Sequence, residues 1–398
     1  MALKKLSDYQ KIIGNPAIES IRNSAAPLEG KSITHVNATS IGGGVAEILN
    51  SLTILMNDIG IHAEWDVIKG GQSFFNITKG FHNALQGQNV ALPERKKKIF
   101  LEETERNSIL TRFHHDLVVI HDPQPAALIN YSKKKQPWLW RCHIDITSPH
   151  PVTWSFLEPF LKKYDGAIYS LDAYKKNLGI PEFIIPPSID PLSLKNMPLT
   201  ESRVRKNLTK NNIDPDIPII TQVSRFDKWK DPLGVIRIFE QVQKKTDCQL
   251  VLAGNMASDD PEGPNIYKKL MKKINANSSI TTMLDQGDIF INALQRASSV
   301  VLQNSIREGF ALTVSEALWK STPVVARPAG GIPLQVLQGK TGFLASSEEQ
   351  AAKRCINLLK NEKLRTQLGQ QGREHVKKNF LITRHLQDYI NLFRSHLT

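Results

Sequence analysis

Cysteine is scarce in this chain, and long apolar runs are absent. The 398 residues include three cysteines, Cys142, Cys248 and Cys355, at spacings that fit neither a disulfide framework nor a zinc site. No segment approaches the roughly 20 consecutive apolar residues of a membrane helix, and the first residues lack the apolar region of a secretory signal. We therefore expect a cytoplasmic protein with no membrane partner.

Positive charge is in excess but is not concentrated. Lysine and arginine outnumber the acidic residues by 51 to 38, for a formal net charge of +13, which favours anionic partners such as nucleotide sugars or nucleic acid. The charges form short runs at residues 95–98, 133–135, 162–163, 244–245 and 377–378. Because dispersed runs are typical of solvated helix faces, we expect no nucleic acid partner. The alternative from a different class, a basic nucleic-acid-binding protein, would bind polynucleotide with a steep salt dependence.

Short apolar segments alternate with helical patterns in both halves of the chain. Strands are predicted at 32–38, 63–68, 116–123, 138–145, 166–170 and 183–187, and then at 217–224, 248–254, 300–302 and 323–326. Helices are predicted between them, for example at 288–297 and 362–379. A proline-rich break at 186–191 separates the halves. The pattern predicts an α/β fold of two doubly wound, Rossmann-like domains that face a cleft. The expected domains are 1–193, 194–378 and a C-terminal helix at 379–398 that packs back on the first domain.

A strand–loop–helix–strand unit at 299–344 carries two glutamates. Glu308 lies in the loop and Glu316 lies eight positions later in the helix. The first amides of that helix, from Ala311 to Thr313, have no partners within the helix and suit an anion such as phosphate. A phosphate bound at those amides would lie between the two glutamates, and the alternative is that both are ordinary surface carboxylates.

A second loop, between a strand and a helix, carries two cations. Arg225 and Lys230 both precede the helix predicted at 232–244. A guanidinium can bind two phosphate oxygens in a bidentate manner, and an ammonium adds a point charge. The loop therefore suits a diphosphate. A charged surface loop is the alternative.

Glycines and histidines mark the first half. A glycine turn containing Gly43 and Gly44 follows the first strand and is either a tight connection or a loop that approaches a ligand. It matches neither the G-x-G-x-x-G fingerprint nor a P-loop. Two His/Asp pairs fall at strand ends, which favours a functional role over simple packing; they are His121 with Asp122 and His143 with Asp145. No ligand spacing supports a metal.

The pattern E-G-F-x-L-x-x-x-E-A, followed by P-V-V-A and a Gly-Gly turn, resembles the retaining nucleotide-sugar glycosyltransferases of family 4. The resemblance implies a GT-B-type fold, with Glu308 facing the transferred sugar and Glu316 holding the nucleotide ribose. It further implies donor-binding roles for Gly43, Gly44, Arg225, Lys230, Gly309, Phe310, Ala311 and Leu312. Four positions depart from the family pattern: Ala311, Ser224 and Asp231 replace glycines, and Leu334 replaces a glutamate.

Further segments resemble one branch of that family, the trehalose synthases. They lie at residues 35–39, 42–47, 75–87, 121–124, 140–145, 225–230, 259–263 and 305–310. The resemblance implies reversible transfer of glucose from a nucleoside-diphosphate-glucose to free glucose, with Glu308, His143 and Asp145 as catalytic residues and with no cofactor. The alternatives are a trehalose phosphorylase, which shares this lineage, or another family 4 transferase with a different acceptor.

The only Asp-x-Asp pattern, Asp214 and Asp216, precedes the first strand of the second half. It is therefore expected at the amino-terminal edge of the sheet, away from the site, and we expect no metal in the reaction. Same-face attack, with the departing phosphate oxygen taking the acceptor's proton, would then depend on positioning and charge stabilisation. The nucleotide base (UDP, ADP or GDP) and the choice between a monomer and a homo-oligomer are left open.

Overall fold

The computed structural model describes residues 3–40, 43–111, 113–254, 263–274 and 277–398. The chain divides into two compact units. The first unit contains Met1–Ser188 together with Ile382–Thr398, and the second contains Ile189–Leu381. None of the helices within the described ranges combines the length and apolarity needed to cross a bilayer.

The first unit is built on a six-stranded parallel sheet. Its strands are β1 (Ser32–Asn37), β2 (His62–Val67), β3 (Leu117–His121), β4 (Trp138–Arg141), β5 (Gly166–Tyr169) and β6 (Glu182–Ile184). The order across the sheet is β2-β1-β3-β4-β5-β6. The chain therefore reverses its direction of travel between β1 and β3, and such a switch point opens a crevice at the carboxyl ends of the strands.

Helices cover this sheet and complete its core. They are α1 (Gln10–Ile13), α2 (Asn15–Ala25), α3 (Gly44–Asp58), α4 (Gln72–Leu85), α5 (Glu94–Leu110) and α6 (Pro151–Leu161). Aromatic rings join α4 to α5: Phe100 stacks on Phe74 at 5.9 Å and meets Phe81 edge-on at 4.9 Å. Strands β3 and β4 are buried throughout, which explains why they are apolar up to their last residues, His121 and Arg141.

The second unit has its own six-stranded parallel sheet. Its strands are β7 (Ile219–Val223), β8 (Gln249–Gly254), β9 (Ile280–Leu284), β10 (Val300–Gln303), β11 (Val324–Ala326) and β12 (Gly342–Leu344). The order is β12-β11-β10-β7-β8-β9, so the switch point lies between β7 and β10.

Within the described residues, eight helices belong to the second unit, and a ninth returns to the first unit. They are α7 (Glu201–Thr209), α8 (Pro232–Gln243), α9 (Gly263–Ile274), α10 (Asp288–Ala297), α11 (Leu312–Trp319), α12 (Ile332–Gln335), α13 (Glu348–Lys360), α14 (Glu362–Asn379) and the returning α15 (Ile382–Leu397). Helix α15 packs against α2 and α3 of the first unit. Short 3₁₀ helices occupy Leu6–Tyr9, Ala26–Leu28, Ala126–Asn130, Asp172–Tyr174 and Lys228–Lys230.

The predicted fold class is confirmed, since both sheets are parallel and are flanked by helices in the Rossmann manner. The sequence prediction missed β9, β12 and α7. It also extended the strand at 183–187 beyond β6, which ends at Ile184. Pro186 and Pro187 come after one more residue, Ile185, and a proline nitrogen cannot donate to a strand ladder.

Candidate active site

Two loops meet at the switch point of the second unit. One follows β7 and carries Arg225 and Lys230, and the other follows β10 and carries Glu308. The backbone N–H of Ile306 donates to the carbonyl oxygen of Trp229 at 2.7 Å, which ties the loops together. The structure thus brings predicted residues from two separate motifs to one edge of one sheet.

Lys230 and Glu308 form an ion pair at this edge. Lys230 Nζ lies 2.5 Å from Glu308 Oε2, and their side chains are only 15% and 9% exposed. The Ser305 hydroxyl donates to the same carboxylate oxygen at 3.1 Å, and the Gln303 amide donates to that hydroxyl at 2.8 Å. The carboxylate of Glu308 is therefore held in place by a cation and a buried polar chain.

Asp227 organises the cationic loop. Its Oδ1 accepts from the backbone N–H groups of Trp229 and Lys230 at 2.9 and 3.1 Å, and its Oδ2 lies 3.3 Å from Arg225 Nη2. Asp227 is 4% exposed and Arg225 is 41% exposed, so a buried anion anchors an accessible guanidinium. Sequence reasoning did not identify Asp227 as a site residue, although an Asp just before a helical turn is a recognisable N-cap signal.

Asp231 explains one departure from the family motif. Its φ of 47° is left-handed, a conformation that glycine adopts without strain and that Asp tolerates better than most residues. Its Oδ1 caps α8 by accepting from the Gly234 N–H at 3.0 Å, and its Oδ2 accepts from the Asn304 amide at 2.8 Å. Arg327 Nη2, which sequence reasoning also missed, lies 3.8 Å from the same Oδ2. Burial raises the pKa of Asp231.

Ala311 explains a second departure. It precedes α11 with a φ of 69°, again the left-handed region, so the glycine common in the family would relieve strain there. The loop that precedes Ala311 is held by Gly331, whose N–H donates to the Gly309 carbonyl oxygen at 3.1 Å. A Cβ at Gly331 would lie 2.9 Å from the Cα of Phe310, so this approach requires glycine. Gln335 also donates to the Phe310 carbonyl oxygen.

Glu316 lies on α11 with its side chain 2% exposed. Its Oε1 is 3.8 Å from Lys195 Nζ, and its Oε2 is buried without a hydrogen-bond partner among the described residues. A buried carboxylate oxygen without a donor is costly, so such an atom calls for an explanation. Lys195 was not predicted, since nothing in its local sequence signals a contact with a helix more than a hundred positions away.

Three histidines form a chain at the carboxyl edge of the first sheet. His35 Nδ1 lies 3.0 Å from His121 Nε2, and His121 Nδ1 lies 2.9 Å from His143 Nε2. Burial lowers the pKa of His35 to about 3, and it lowers the pKa values of His121 and His143 well below the usual range. All three rings are therefore neutral at pH 7. His35 was not among the predicted site residues.

The aspartates of the predicted His/Asp pairs have separate partners. Asp122, at a φ of 63°, accepts from the His143 backbone N–H at 2.8 Å, and burial raises the pKa of its carboxyl to about 7. Asp145 Oδ1 accepts from the backbone N–H and hydroxyl of Thr147 at 2.9 and 2.6 Å. The two carboxylates thus shape the strand-end backbone around His143.

Gly43 and Gly44 lie where α3 begins. Gly43 has a φ of 84°, and a Cβ there would meet nothing within 4 Å. Its backbone conformation, rather than a lack of space, therefore requires glycine. Residues 41 and 42 of the glycine turn, and residues 259–262 of the motif at 259–263, lie outside the described residues.

Asp214 and Asp216 lie before β7, at the amino end of that strand. Asp216 is bound by Arg205, whose Nη2 donates to its two oxygens at 3.0 and 2.9 Å. Among the described residues, no group of three or more His, Cys, Asp or Glu side chains is arranged to hold a metal ion.

Comparison with known proteins defines the family. The family described as "Trehalose synthase, N-terminal domain" matches residues 35–176, and "Glycosyl transferases group 1" matches residues 204–375. Trehalose synthase of Thermococcus litoralis is 48% identical over 98% of this chain and 97% of that protein. Trehalose phosphorylase of Pleurotus pulmonarius is 26% identical over 93% of this chain and 58% of that protein. Sucrose-phosphate synthase from Thermosynechococcus elongatus has a similar fold, with a TM-score of 0.73 at 17% identity over 92% of this chain and 98% of that one.

Two Rossmann-like sheets, each of parallel strands, with charged loops at a switch point are features of a glycosyltransferase of the GT-B fold. The 48% identity with the Thermococcus litoralis protein, over nearly the whole of both chains, narrows this class to one family. The chain belongs to the trehalose synthase family, which confirms the resemblance found in its motifs.

Proposed function

We propose that this glycosyltransferase joins glucose from a nucleoside-diphosphate-glucose to free glucose, with retention at the anomeric carbon, to give trehalose. The observation that carries the proposal is the Lys230–Glu308 ion pair at the β7/β10 switch point, with Arg225 in the same loop as Lys230. A cation beside a carboxylate suits a donor that presents an anionic diphosphate next to a neutral, hydroxyl-rich sugar.

The second unit supplies the donor contacts in this proposal. Arg225, Lys230 and the first amides of α11 bind the diphosphate, and Glu308 accepts hydrogen bonds from the sugar hydroxyls. Glu316 accepts from the ribose hydroxyls, which gives its buried Oε2 the donors that it lacks. His143, Asp145, Gly43 and Gly44 belong to the first unit, and we assign them to sugar binding.

In this proposal, the rate of glucose transfer depends on how the protein positions the donor and the acceptor. The bond from the anomeric carbon to the phosphate oxygen breaks while the acceptor hydroxyl oxygen attacks from the same face, and the acceptor's proton passes to the departing phosphate oxygen. Lys230 and Arg225 stabilise the negative charge that develops on that phosphate. Because these fixed cations do the work of a divalent ion, we expect transfer to survive exhaustive chelation. Restoration of a lost activity by magnesium or manganese would contradict this role.

Phosphorolysis of trehalose is the second candidate, supported by the phosphorylase relative. Inorganic phosphate, however, has no ribose to engage Glu316 and needs fewer cations than Arg225 and Lys230 supply. We therefore expect a nucleoside diphosphate to bind more tightly than phosphate.

One experiment separates the candidates. The protein is incubated with glucose and UDP-, ADP- or GDP-glucose, and separately with trehalose and either phosphate or a nucleoside diphosphate. The disaccharide is identified by its anomeric NMR couplings, and reversibility follows from the second incubation. Cleavage of trehalose by phosphate, and by no nucleoside diphosphate, would show that the synthase proposal is wrong.

A further inference from the structure

The three-histidine chain of the first unit couples the hydrogen positions of its rings. Each nitrogen–nitrogen contact, His35 Nδ1 to His121 Nε2 and His121 Nδ1 to His143 Nε2, needs one hydrogen, because one nitrogen must donate and the other accept. A neutral imidazole carries a single ring hydrogen. If His121 carries it on Nδ1, His35 must also carry it on Nδ1, and His143 must accept at Nε2. If His121 carries it on Nε2, all three rings carry it there.

Only two arrangements therefore exist, and they give His143 opposite chemistry. In the first, every ring carries its hydrogen on Nδ1, and the remaining nitrogen of His143 is a donor. In the second, every ring carries it on Nε2, and Nδ1 of His143 is a bare acceptor that could serve as a base. The tautomer of His35 therefore sets the tautomer of His143.

The surroundings of His35 favour the first arrangement. His35 is fully buried on β1, and its Nε2 has no hydrogen-bond partner in the part of the chain that the structure describes. Its ring neighbours include Tyr389 and Phe393, with centroids 5.9 and 6.4 Å away. The second arrangement would place an N–H at this apolar position. Buried N–H groups without acceptors are rarer in folded proteins than unfilled acceptors.

We infer that His35 and His121 are positioning residues that hold His143 as an Nδ1–H donor, so that His143 binds a substrate oxygen by donation and does not act as a base. Its half-buried ring is the last of the three histidines, and it follows β4, two residues before Asp145 in the sequence. The neutral state that the inference requires agrees with the lowered pKa values of all three rings, to which Arg141 contributes at His121 and His143.

The substrate part of this inference rests on the proposed function, in which the leaving phosphate, and not a histidine, takes the acceptor's proton. A donor at His143 fits that chemistry, since an N–H can bind a sugar hydroxyl or phosphate oxygen without competing for the transferred proton. The tautomer itself is independent of any substrate and can be measured without one.

The first test is the nitrogen NMR spectrum of the ¹⁵N-histidine-labelled full chain, because Nδ1–H and Nε2–H imidazoles give opposite patterns of nitrogen shifts and couplings. Peaks are assigned with single variants at His35, His121 and His143. We expect the Nδ1–H pattern for all three rings at pH 7 to 8. An Nε2–H pattern for His143 would overturn the inference.

The second test replaces His35, the member of the three-histidine chain farthest from His143, in two matched variants. His35→Asn places an amide N–H close to the position of Nδ1, whereas His35→Leu removes the donor and keeps an apolar side chain. We expect His143 to stay Nδ1–H in His35→Asn and to become a mixture of tautomers in His35→Leu. The kcat/KM for transfer should fall further in the leucine variant, in proportion to the fraction of His143 that leaves the Nδ1–H state, which is about twofold for an equal mixture.

Nucleoside diphosphate binding should be unchanged in both variants, because the second unit is untouched. An unchanged His143 tautomer in the leucine variant would show that His35 only packs. If that variant fails to fold, the wild-type and His35→Asn spectra still decide which nitrogen carries the hydrogen in each of the three histidines. Wild type with the Nδ1–H pattern but no transfer would count against the proposed function and not against the histidine chain.

Discussion

Glu308 and Glu316 lie in one short stretch of sequence but in different surroundings. Glu308 is bound by the Lys230 ammonium and the Ser305 hydroxyl, whereas Glu316 keeps a buried oxygen without a hydrogen-bond partner among the described residues. A carboxylate that is already neutralised can orient sugar hydroxyls. A carboxylate with an unfilled oxygen gains more from binding hydroxyl donors.

The first prediction divides their roles. Glu316→Gln should weaken nucleoside diphosphate binding about tenfold or more, because it removes the charge from the hydrogen bonds that we propose between Glu316 and the ribose. Glu308→Gln should leave that affinity unchanged or tighter, since Lys230 is released toward the diphosphate, while kcat falls by about 10²-fold or more. Calorimetric titration and steady-state transfer assays measure the two effects. Equal losses of nucleotide affinity in both variants would remove the division of labour.

The second prediction concerns the pH dependence of stability and rests on Asp122. Burial raises the pKa of its carboxyl from 3.8 to about 7 in the folded protein, so the folded state holds a proton that the unfolded chain releases. The stability contributed by this group is fully present below pH 4 and is lost as the pH rises toward 7. Asp122→Asn keeps the side-chain oxygen that accepts from the His143 N–H and carries no charge. The stability of the variant relative to wild type should therefore rise as the pH increases from 4 to 8, to a difference of about 1–4 kcal/mol.

Denaturant titrations at pH 4, 6 and 8 measure this difference. Asp216→Asn is the matched control with the opposite sign, because Arg205 lowers the pKa of Asp216 and its charge stabilises the fold above pH 4. A stability difference for Asp122→Asn that is independent of pH would contradict the assignment.

At the scale of elements, two helices of the second unit begin at a side chain that binds one of their first free amides. Asp231 caps α8 from a left-handed backbone, and Ser347 caps α13 by accepting from the Gln350 N–H at 3.2 Å. The caps differ in their surroundings, because Asp231 also binds Asn304 and lies near Arg327 whereas the Ser347 bond is exposed.

The third prediction compares these two caps. Asp231→Ala should cost about 2–3 kcal/mol, since it removes the cap and places a Cβ-bearing, non-polar residue in the left-handed region. Ser347→Ala should cost about 1 kcal/mol. Asp231→Gly should fall between them, because glycine restores the backbone but not the carboxylate. Chemical denaturation measures all three, and equal costs for the two alanine variants would contradict the structural difference.

Elements with strong local signals were predictable, and others were not. Helices α10 and α14 coincide with the predictions at 288–297 and 362–379 because their apolar spacing and ends are explicit in the sequence. Helix α7 buries only Leu208, and β12 has three residues, so neither gives a clear period. Strand β9 is largely half-exposed and its sequence lacks a strong apolar run.

The same reasoning applies to the site. Motif resemblance identified Arg225, Lys230, Glu308 and Glu316, and the geometry of the site is consistent with their proposed roles, which stay predictions. It could not show that Lys230 and Glu308 pair across 78 positions, or that His35 and His121 meet across 86. Such contacts are made by the order of strands in the sheet, which local sequence does not encode.

At the scale of the whole molecule, the chain leaves the first unit once and returns to it at its end. The second unit spans Ile189–Leu381, and α15 then completes the first unit. Eight side chains of α15 are buried: Ile382, Thr383, His385, Leu386, Tyr389, Ile390, Leu392 and Phe393. The Tyr389 and Phe393 rings lie near His35, at the end of the histidine chain.

The last prediction removes this helix. A chain that stops after Leu381 loses six large apolar side chains from the core of the first unit, and burying each is worth about 1.5–3 kcal/mol. The total, about 10 kcal/mol or more, is comparable to the roughly 5–15 kcal/mol net stability of a typical domain. We therefore expect the first unit to unfold and transfer to be lost, while the second unit keeps its own thermal transition and still binds a nucleoside diphosphate. Calorimetry and nucleotide titration measure both, with a chain ending at Leu397 as the control. Because the switch-point loops of the second unit lie wholly within Ile189–Leu381, loss of nucleotide binding along with the first unit would show that the donor site depends on more than that sheet.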